Sequence, residues 1–245
     1  MPIIGLSLII QIALAIHVVK TGRDTYWIYI LLMPGLGPAL YFFTQILPEL
    51  GQNRTVHSAK SSLLKAIDPQ RELRKKKAQL ELANTLDNKQ KLAEECLEAG
   101  MTTDAIELFQ SCLTGVGEGD ADTMVKLAHA YFANKNYNLA LQTLDDIIKS
   151  NPNFNSPEGH LLYARSLEKL EKFKQALKEY AVVSENYPGE QGRVRYGLLL
   201  LEMNQLDLAS EIFNKSINRS KLAPKFYQRK EKYWIKIAKS KLKGL

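Results

Sequence analysis

At 245 residues, with 45% hydrophobic and 24% charged side chains, the chain has the composition of an ordered protein of one or two domains. Its net charge of +7 is unevenly held: residues 1–48 carry +1, 49–85 carry +4, 86–157 carry −6, 158–220 carry 0 and 221–245 carry +8. This excludes a uniformly basic surface of the kind that binds nucleic acid, and two cysteines, Cys96 and Cys112, are too few for a disulfide scaffold or a complete tetrahedral metal site.

Residues 3–19 carry no formal charge and include Ile9, Ile10, Ile12, Leu14 and Ile16. About 17 residues at about 1.5 Å rise just reach across the hydrocarbon of a bilayer. A polar connector follows, containing Lys20, Arg23 and Asp24, and then residues 26–47 run without a charge. Tyr26, Trp27 and Tyr29 open this second run and are residue types that gather at membrane interfaces. Pro34-Gly35-Leu36-Gly37-Pro38 inside it is expected to kink a helix, because each proline removes an amide donor. The sequence thus predicts a two-helix transmembrane anchor over 1–48. It is expected to stay uncleaved, since no Lys or Arg precedes the first run and a second run follows at once.

The run from Tyr26 and Trp27 through Leu32-Met33-Pro34-Gly35-Leu36-Gly37-Pro38 to Tyr41 resembles the N-terminal membrane segment of phospholipase D-type cardiolipin synthases. That family's catalysis needs two His-x-Lys-x-x-x-x-Asp motifs. Here His57 and Lys60 are separated by two residues instead of one, and there is no second copy. The resemblance therefore implies an anchor without the enzyme.

Two basic residues, Lys20 and Arg23, lie in the connector, whereas Arg54, Lys60 and Lys65 follow the second span and a denser basic cluster comes next. By the excess of cytoplasmic Lys and Arg, both termini are expected in the cytoplasm of a bacterial-type cell, with the head in the inner membrane. Residues 49–85 read as a basic juxtamembrane tether, polar over 51–67, and a leading helix. Asp68-Pro69 suits a helix start, and Leu73, Leu80 and Ala83 are expected to face the next element. Arg71, Arg74, Lys75, Lys76 and Lys77 lie on the other face and are candidate contacts for anionic lipid headgroups.

From residue 86 the chain repeats. Ala105/Phe109, Ala140/Leu144, Ala176/Tyr180 and Ala209/Phe213 stand 35, 36 and 33 residues apart, the mark of a helix-pair solenoid. Each unit places a small residue in a first helix, namely Ala93, Ala128, Ala164 and Gly197, against the alanine of the second. Leu92, Cys96, Phe109 and Cys112 fill the interior of the first unit, and Leu127, Tyr131, Tyr137 and Ile147 that of the second. Tyr163, Leu167, Phe173 and Val183 serve the third, and Tyr196, Leu200, Leu206 and Ser216 the fourth. Pro152 and Pro188 close the second and third units, while Lys221 stands in that place in the fourth. Over 86–221 the chain resembles the tetratricopeptide repeat family, with four units.

The resemblance implies a groove lined by the first helices that takes an extended or helical peptide. The groove residues would be Gln90, Glu94 and Leu97 in the first unit, Val125, His129 and Phe132 in the second, and Leu161, Arg165 and Glu168 in the third. Some members clamp a C-terminal carboxylate with Lys and Asn in the leading repeat. Gln90 and Glu94 stand there instead, which argues against that ligand, while Arg165 suits an acidic peptide. His129 has no neighbouring ligand set and reads as a groove-lining or packing histidine. Gly115-Val116-Gly117-Glu118-Gly119 reads as an inter-repeat turn, since no Lys-Ser or Lys-Thr follows it as a phosphate loop requires.

Residues 194–203 are apolar almost all round, which a helix is only when covered on both sides. The expected cover is a basic amphipathic capping helix within 222–245, running over 224–242. Its apolar stripe would be Phe226, Tyr233, Trp234, Ile237 and Ala238, with nine Lys or Arg mostly opposite. That outer face is either solvated, as a solenoid cap requires, or in contact with membrane or an acidic partner; nucleic acid fits least.

The sequence thus predicts an all-α protein: a transmembrane hairpin, a tetratricopeptide-type solenoid and a cap. Without a Ser-His-Asp set, metal-ligand cluster or phosphate loop, the expected function is that of a membrane-anchored adaptor. It would bind a protein or peptide, with no catalysis, cofactor or metal. The alternative is a regulatory or accessory subunit of a membrane lipid-synthesis enzyme or envelope complex.

Overall fold

In the computed structural model the described residues, 2–46, 48 and 68–245 with the side chains of 2–7 aside, form helices and turns and no strand. The expected tether over 51–67 lies outside them. Two compact units divide the chain, Met1–Arg71 and Glu72–Leu245.

The first unit is built from α1 (Pro2–Lys20), α2 (Tyr26–Leu31), α3 (Leu36–Tyr41) and a π-helical turn, Phe42–Ile46. The expected kink is a full break: α2 ends before Pro34, and Gly35 turns the chain with φ 83°. Gly37 then seats directly on the α2 backbone, where a Cβ would stand 2.0 Å from the Ile30 carbonyl oxygen. Val18, Trp27, Leu31 and Tyr41 form a small core, with Tyr41 OH 3.0 Å from His17 Nδ1 and Arg23 donating to Gln45 Oε1 at 2.6 Å. Among the described residues no helix is long and apolar enough to cross a membrane. The expected transmembrane hairpin is therefore not supported, and the second apolar stretch is cut into pieces of six, six and five residues.

The second unit opens with the leading helix α4 (Arg71–Leu82), whose Leu73 and Leu80 pack on the first repeat as expected. Four helix pairs follow: α5 (Leu86–Glu98) with α6 (Thr102–Cys112), α7 (Ala121–Ala133) with α8 (Tyr137–Ser150), α9 (Pro157–Lys169) with α10 (Phe173–Asn186), and α11 (Gln191–Glu202) with α12 (Leu206–Leu222). Side-chain caps start three of the first helices. Thr85, Asp120 and Ser156 each accept the amide three residues on, at 3.2, 3.0 and 3.0 Å, satisfying donors that a helix start leaves open.

The turn inside each pair is the same device four times. Gly100, Lys135, Glu171 and Asn204 all have φ between 58° and 79° and stand at the repeat spacing. The amide after each of them donates back to Cys96, Tyr131, Leu167 and Leu200 carbonyls at 2.8 to 2.9 Å. This left-handed closure satisfies the last carbonyls of the first helix and fixes the reversal into the second.

Close approach within each pair depends on the small residues. Ala93, Ala128, Ala164, Ala105, Ala140, Ala176 and Ala209 are all fully buried, and Gly197 lies under Phe213, whose ring atoms would be 2.6, 2.9 and 3.0 Å from an added Cβ. Large partners fill the remaining space: Phe109, Tyr180 and Phe213 are likewise 0% exposed. Cys96 and Cys112 are free, buried thiols in this interior, pushed up in pKa first by burial. The Gly115–Gly117 segment is a short 3-10 turn, as expected of a connector. With no closing proline, α12 runs on to Leu222, longer than the other second helices, until Ala223-Pro224 stops it.

The cap is two helices, α13 (Lys225–Lys230) and α14 (Lys232–Leu242), and not the single helix expected. The break has a visible cause at Glu231. Its carboxylate turns inward to accept the Glu190 amide at 2.9 Å. Glu190, fully buried, in turn accepts from Arg193 Nη1 at 2.9 Å and from Tyr227 OH at 2.8 Å. Arg193 also donates to the Ser184 carbonyl, so the buried charges are paired and hydrogen-bonded. Pinning Glu231 inside rotates the stripe. Ile235 and Ala238 are buried with Trp234 and Ile237 half-covered, whereas Phe226 and Tyr233, expected inside, are 72% and 66% exposed.

Candidate functional site

The first helices α5, α7 and α9 carry the nine predicted groove residues, and the structure divides them. Gln90 is half-buried and its Nε2 donates to Thr123 Oγ1 at 2.5 Å, tying the first pair to the second. Glu94 is exposed and pairs with Lys126 Nζ at 2.6 Å. Leu97 packs on the first core. Val125 and Leu161 are 8% and 4% exposed and belong to the core beneath the surface, so they shape the floor and present little to a ligand. His129 is half-buried. Burial, then the charge of Arg165, holds its pKa below the ordinary histidine value, and the ring is neutral at neutral pH.

Phe132, Arg165 and Glu168 come together. The Arg165 guanidinium lies 4.4 Å above the Phe132 ring, within cation-π range, and Phe132 is itself held edge-on by Tyr137, with centroids 5.1 Å apart. Glu168 accepts a hydrogen bond from Tyr180 OH. Burial and then this carboxylate push the Tyr180 pKa well up, so the phenol stays a donor.

A second arginine completes the cluster. Arg195, on α11, stacks on Trp234 of the cap at 5.2 Å. It is close enough for its charge, after burial, to lower the Arg165 pKa. The Nε atoms of both arginines are buried without a hydrogen-bond partner, and neither guanidinium forms an ion pair among the described residues. The cluster thus holds two like charges near each other on aromatic faces, each with an Nε donor unused. The sequence reading missed Arg195 and Trp234 because it followed the groove only through the third pair and placed Trp234 on the buried stripe of the cap.

On another part of the third pair lies a cavity of about 300 Å³ lined by Val125, Leu144, Ile147, Phe154, His160 and Tyr163 among others. Polar pairs rim it. His160 Nε2 is 2.8 Å from Glu179 Oε2, and Tyr163 OH donates to Asp145 at 2.9 Å. Burial and Asp145 push the Tyr163 pKa up to about 12. Among the described residues no three His, Cys, Asp or Glu side chains gather as a metal site requires. On α4, Arg71, Arg74, Lys75 and Lys77 are exposed and Lys76 half-exposed, and Lys75 lies 3.9 Å from Glu72.

The comparisons agree with this architecture. The sequence pattern of the tetratricopeptide repeat family matches residues 97–165, the second helix of the first pair through most of α9. A structure of MamA residues 41 to the end from Desulfovibrio magneticus RS-1 is 16% identical with a TM-score of 0.55, covering 68% of this chain and 95% of that one. A crystal structure of MamA is 20% identical with a TM-score of 0.52, covering 61% and 86%. TTC0263, a thermophilic tetratricopeptide protein of Thermus thermophilus, is 19% identical with a TM-score of 0.50, covering 60% and 80%. At these identities the likeness shows the fold, an all-helical tetratricopeptide-type solenoid. No curated protein matches the chain, and the head's resemblance to cardiolipin synthases finds no support in these comparisons.

Proposed function

We propose that the chain is a membrane-tethered scaffold whose helix-pair array binds an extended protein segment, with Arg165 and Arg195 receiving an acidic side chain of that segment. The observation that carries this reading is the guanidinium pair itself, stacked on Phe132 and Trp234 with each Nε lacking a hydrogen-bond acceptor and, among the described residues, no ion pair to either. Both side chains are half-buried, each Nε lacks an acceptor, and a partner's carboxylate would supply one. Exposed Glu94 and half-buried His129 extend the same surface toward the first pair. The proposed role needs no chemistry from the chain.

The tether is proposed from surface composition. Leu8, Ile9, Ile12, Ile16, Val19, Leu32, Leu36 and Phe43 of the head are each more than half exposed, apolar area that water disfavours and lipid accepts. The head is read as embedded in the inner membrane through α1 and the broken second arm. By charge asymmetry the repeats lie on the cytoplasmic side, with the basic face of α4 near anionic headgroups.

Crosslinking of the full chain in native membranes tests the groove. Phe132→Ala together with Arg165→Ala should lower partner recovery about tenfold or more, since a charge-assisted hydrogen bond is worth about 1.5–3 kcal/mol. Undiminished recovery refutes the groove. Release of the chain by alkaline carbonate refutes the embedded head and leaves the groove untouched.

A further inference from the structure

The last 25 residues contain nine Lys or Arg and one acidic residue, Glu231. Glu231 is 6% exposed and committed to the Glu190 amide, so the only negative side chain of the cap points inward. Lys225, Arg229, Lys230, Lys232, Lys236 and Lys239 are all exposed. Among the described residues none of these six enters an ion pair, whereas lysines elsewhere in the unit do: Lys91 with Asp87 at 2.5 Å, Lys126 with Glu94 at 2.6 Å and Lys215 with Glu211 at 2.9 Å. The outward surface of the cap is therefore of one sign.

Apolar side chains stand among these charges. Leu222, Phe226 and Tyr233 are 90%, 72% and 66% exposed. A cap serving only to seal the solenoid would put such residues inside and polar ones out. Amines that seek phosphate, beside aromatic and aliphatic groups that seek the acyl boundary, are the composition of a helix lying at a membrane surface. Single-stranded RNA would meet the charge and stack on Phe226 and Tyr233, but it gives the 90% exposed Leu222 no apolar medium to enter. An acidic protein would also meet the charge, without a need for amines and exposed apolar groups to be interleaved.

We propose that the cap is a docking surface for an anionic lipid bilayer, with its lysines against headgroup phosphates and Leu222, Phe226 and Tyr233 entering the interface. It uses none of the groove residues, although Tyr233 packs edge-on against Trp234 at 5.0 Å. Each basic residue near such a surface strengthens attachment about fivefold, so a few lysines suffice to hold the cap.

The test is lysine acetylation, read residue by residue by mass spectrometry, on the full chain in nanodiscs of phosphatidylcholine alone or containing phosphatidylglycerol. Lys230, Lys232 and Lys236 should react at least about fivefold more slowly with phosphatidylglycerol. Lys91 and Lys149 should be unchanged. Protection should vanish at about 1 M salt, where the screening length is about 3 Å, and should weaken in Phe226→Ser with Tyr233→Ser, a pair exposed enough to leave the fold intact. Equal reactivity in both discs overturns the proposal. So does protection in phosphatidylcholine discs by added oligouridylate or polyglutamate when phosphatidylglycerol gives none.

Discussion

Gly197→Ala sets two physical effects against each other with opposite signs. In an ordinary helix interior the change stabilises by about 0.8–1 kcal/mol, because glycine loses more backbone entropy on folding. At this position the new Cβ would lie 2.6, 2.9 and 3.0 Å from three atoms of the Phe213 ring. That ring is 0% exposed and packed with Val194, Leu200 and Ile212, so it has no free direction in which to retreat. Overpacking of this kind costs about 1–3 kcal/mol, and the clash touches three ring atoms at once, which places it in the upper part of that range. The net expectation is a loss of about 1–2 kcal/mol, or a fall in melting temperature of about 2–8 °C for a unit of this size. The second pair solves the same contact with Ala128 against Leu144. Phe213→Leu added to Gly197→Ala should therefore recover at least about 1 kcal/mol relative to the sum of the single changes, a coupling typical of residues in contact. Thermal and denaturant unfolding of the full chain, followed by far-ultraviolet circular dichroism, reads all three variants. A Gly197→Ala protein that melts higher than the parent would refute the argument that ring proximity decides the residue here.

Glu171→Gly should raise stability by about 0.5–1 kcal/mol, because Glu171 holds φ 58°, a conformation that costs a side chain about 1–2 kcal/mol; denaturant midpoints check it. His129 has a folded pKa below its unfolded value, so the unfolded chain binds the extra proton and stability falls as pH drops from about 6.5 toward the folded value. His129→Asn should flatten that part of the stability-pH curve. Tyr163 and Tyr227 have folded pKa values raised by burial and then by hydrogen bonds to Asp145 and Glu190. Their stabilisation is complete below about pH 10 and lost as pH rises through the folded values, so Tyr227→Phe should lose stability less steeply than the parent above about pH 10 in an alkaline titration. Ala140→Leu or Ala176→Leu, each replacing a methyl with 0% exposure, should cost about 1–3 kcal/mol in the same unfolding assay.

Periodicity made the helix pairs legible because side-chain size is a local property that packing reads directly. An alanine at the repeat spacing can serve only a close helix contact, and all seven such alanines are buried. The left-handed turns were only partly legible. Gly100 advertises its conformation, but Lys135 and Glu171 do not, since their φ is imposed by the helices they join. The nine groove residues fell on the helices expected, yet Val125 and Leu161 went to the core, a depth that spacing along one helix does not encode.

Sequence alone determined the all-helical repeat, its four-unit extent and the basic character of the last 25 residues, because composition and period act over a few turns of chain. Tertiary structure decided which charges are buried and which cations stand beside one another. Glu231 faces inward because an amide 41 residues away needs an acceptor, and its rotation exposes Phe226 and Tyr233. Arg165 and Arg195 meet because the third and fourth pairs stack and the cap supplies Trp234. Such encounters depend on the relative placement of distant elements, and no residue's own neighbours in the chain can specify them.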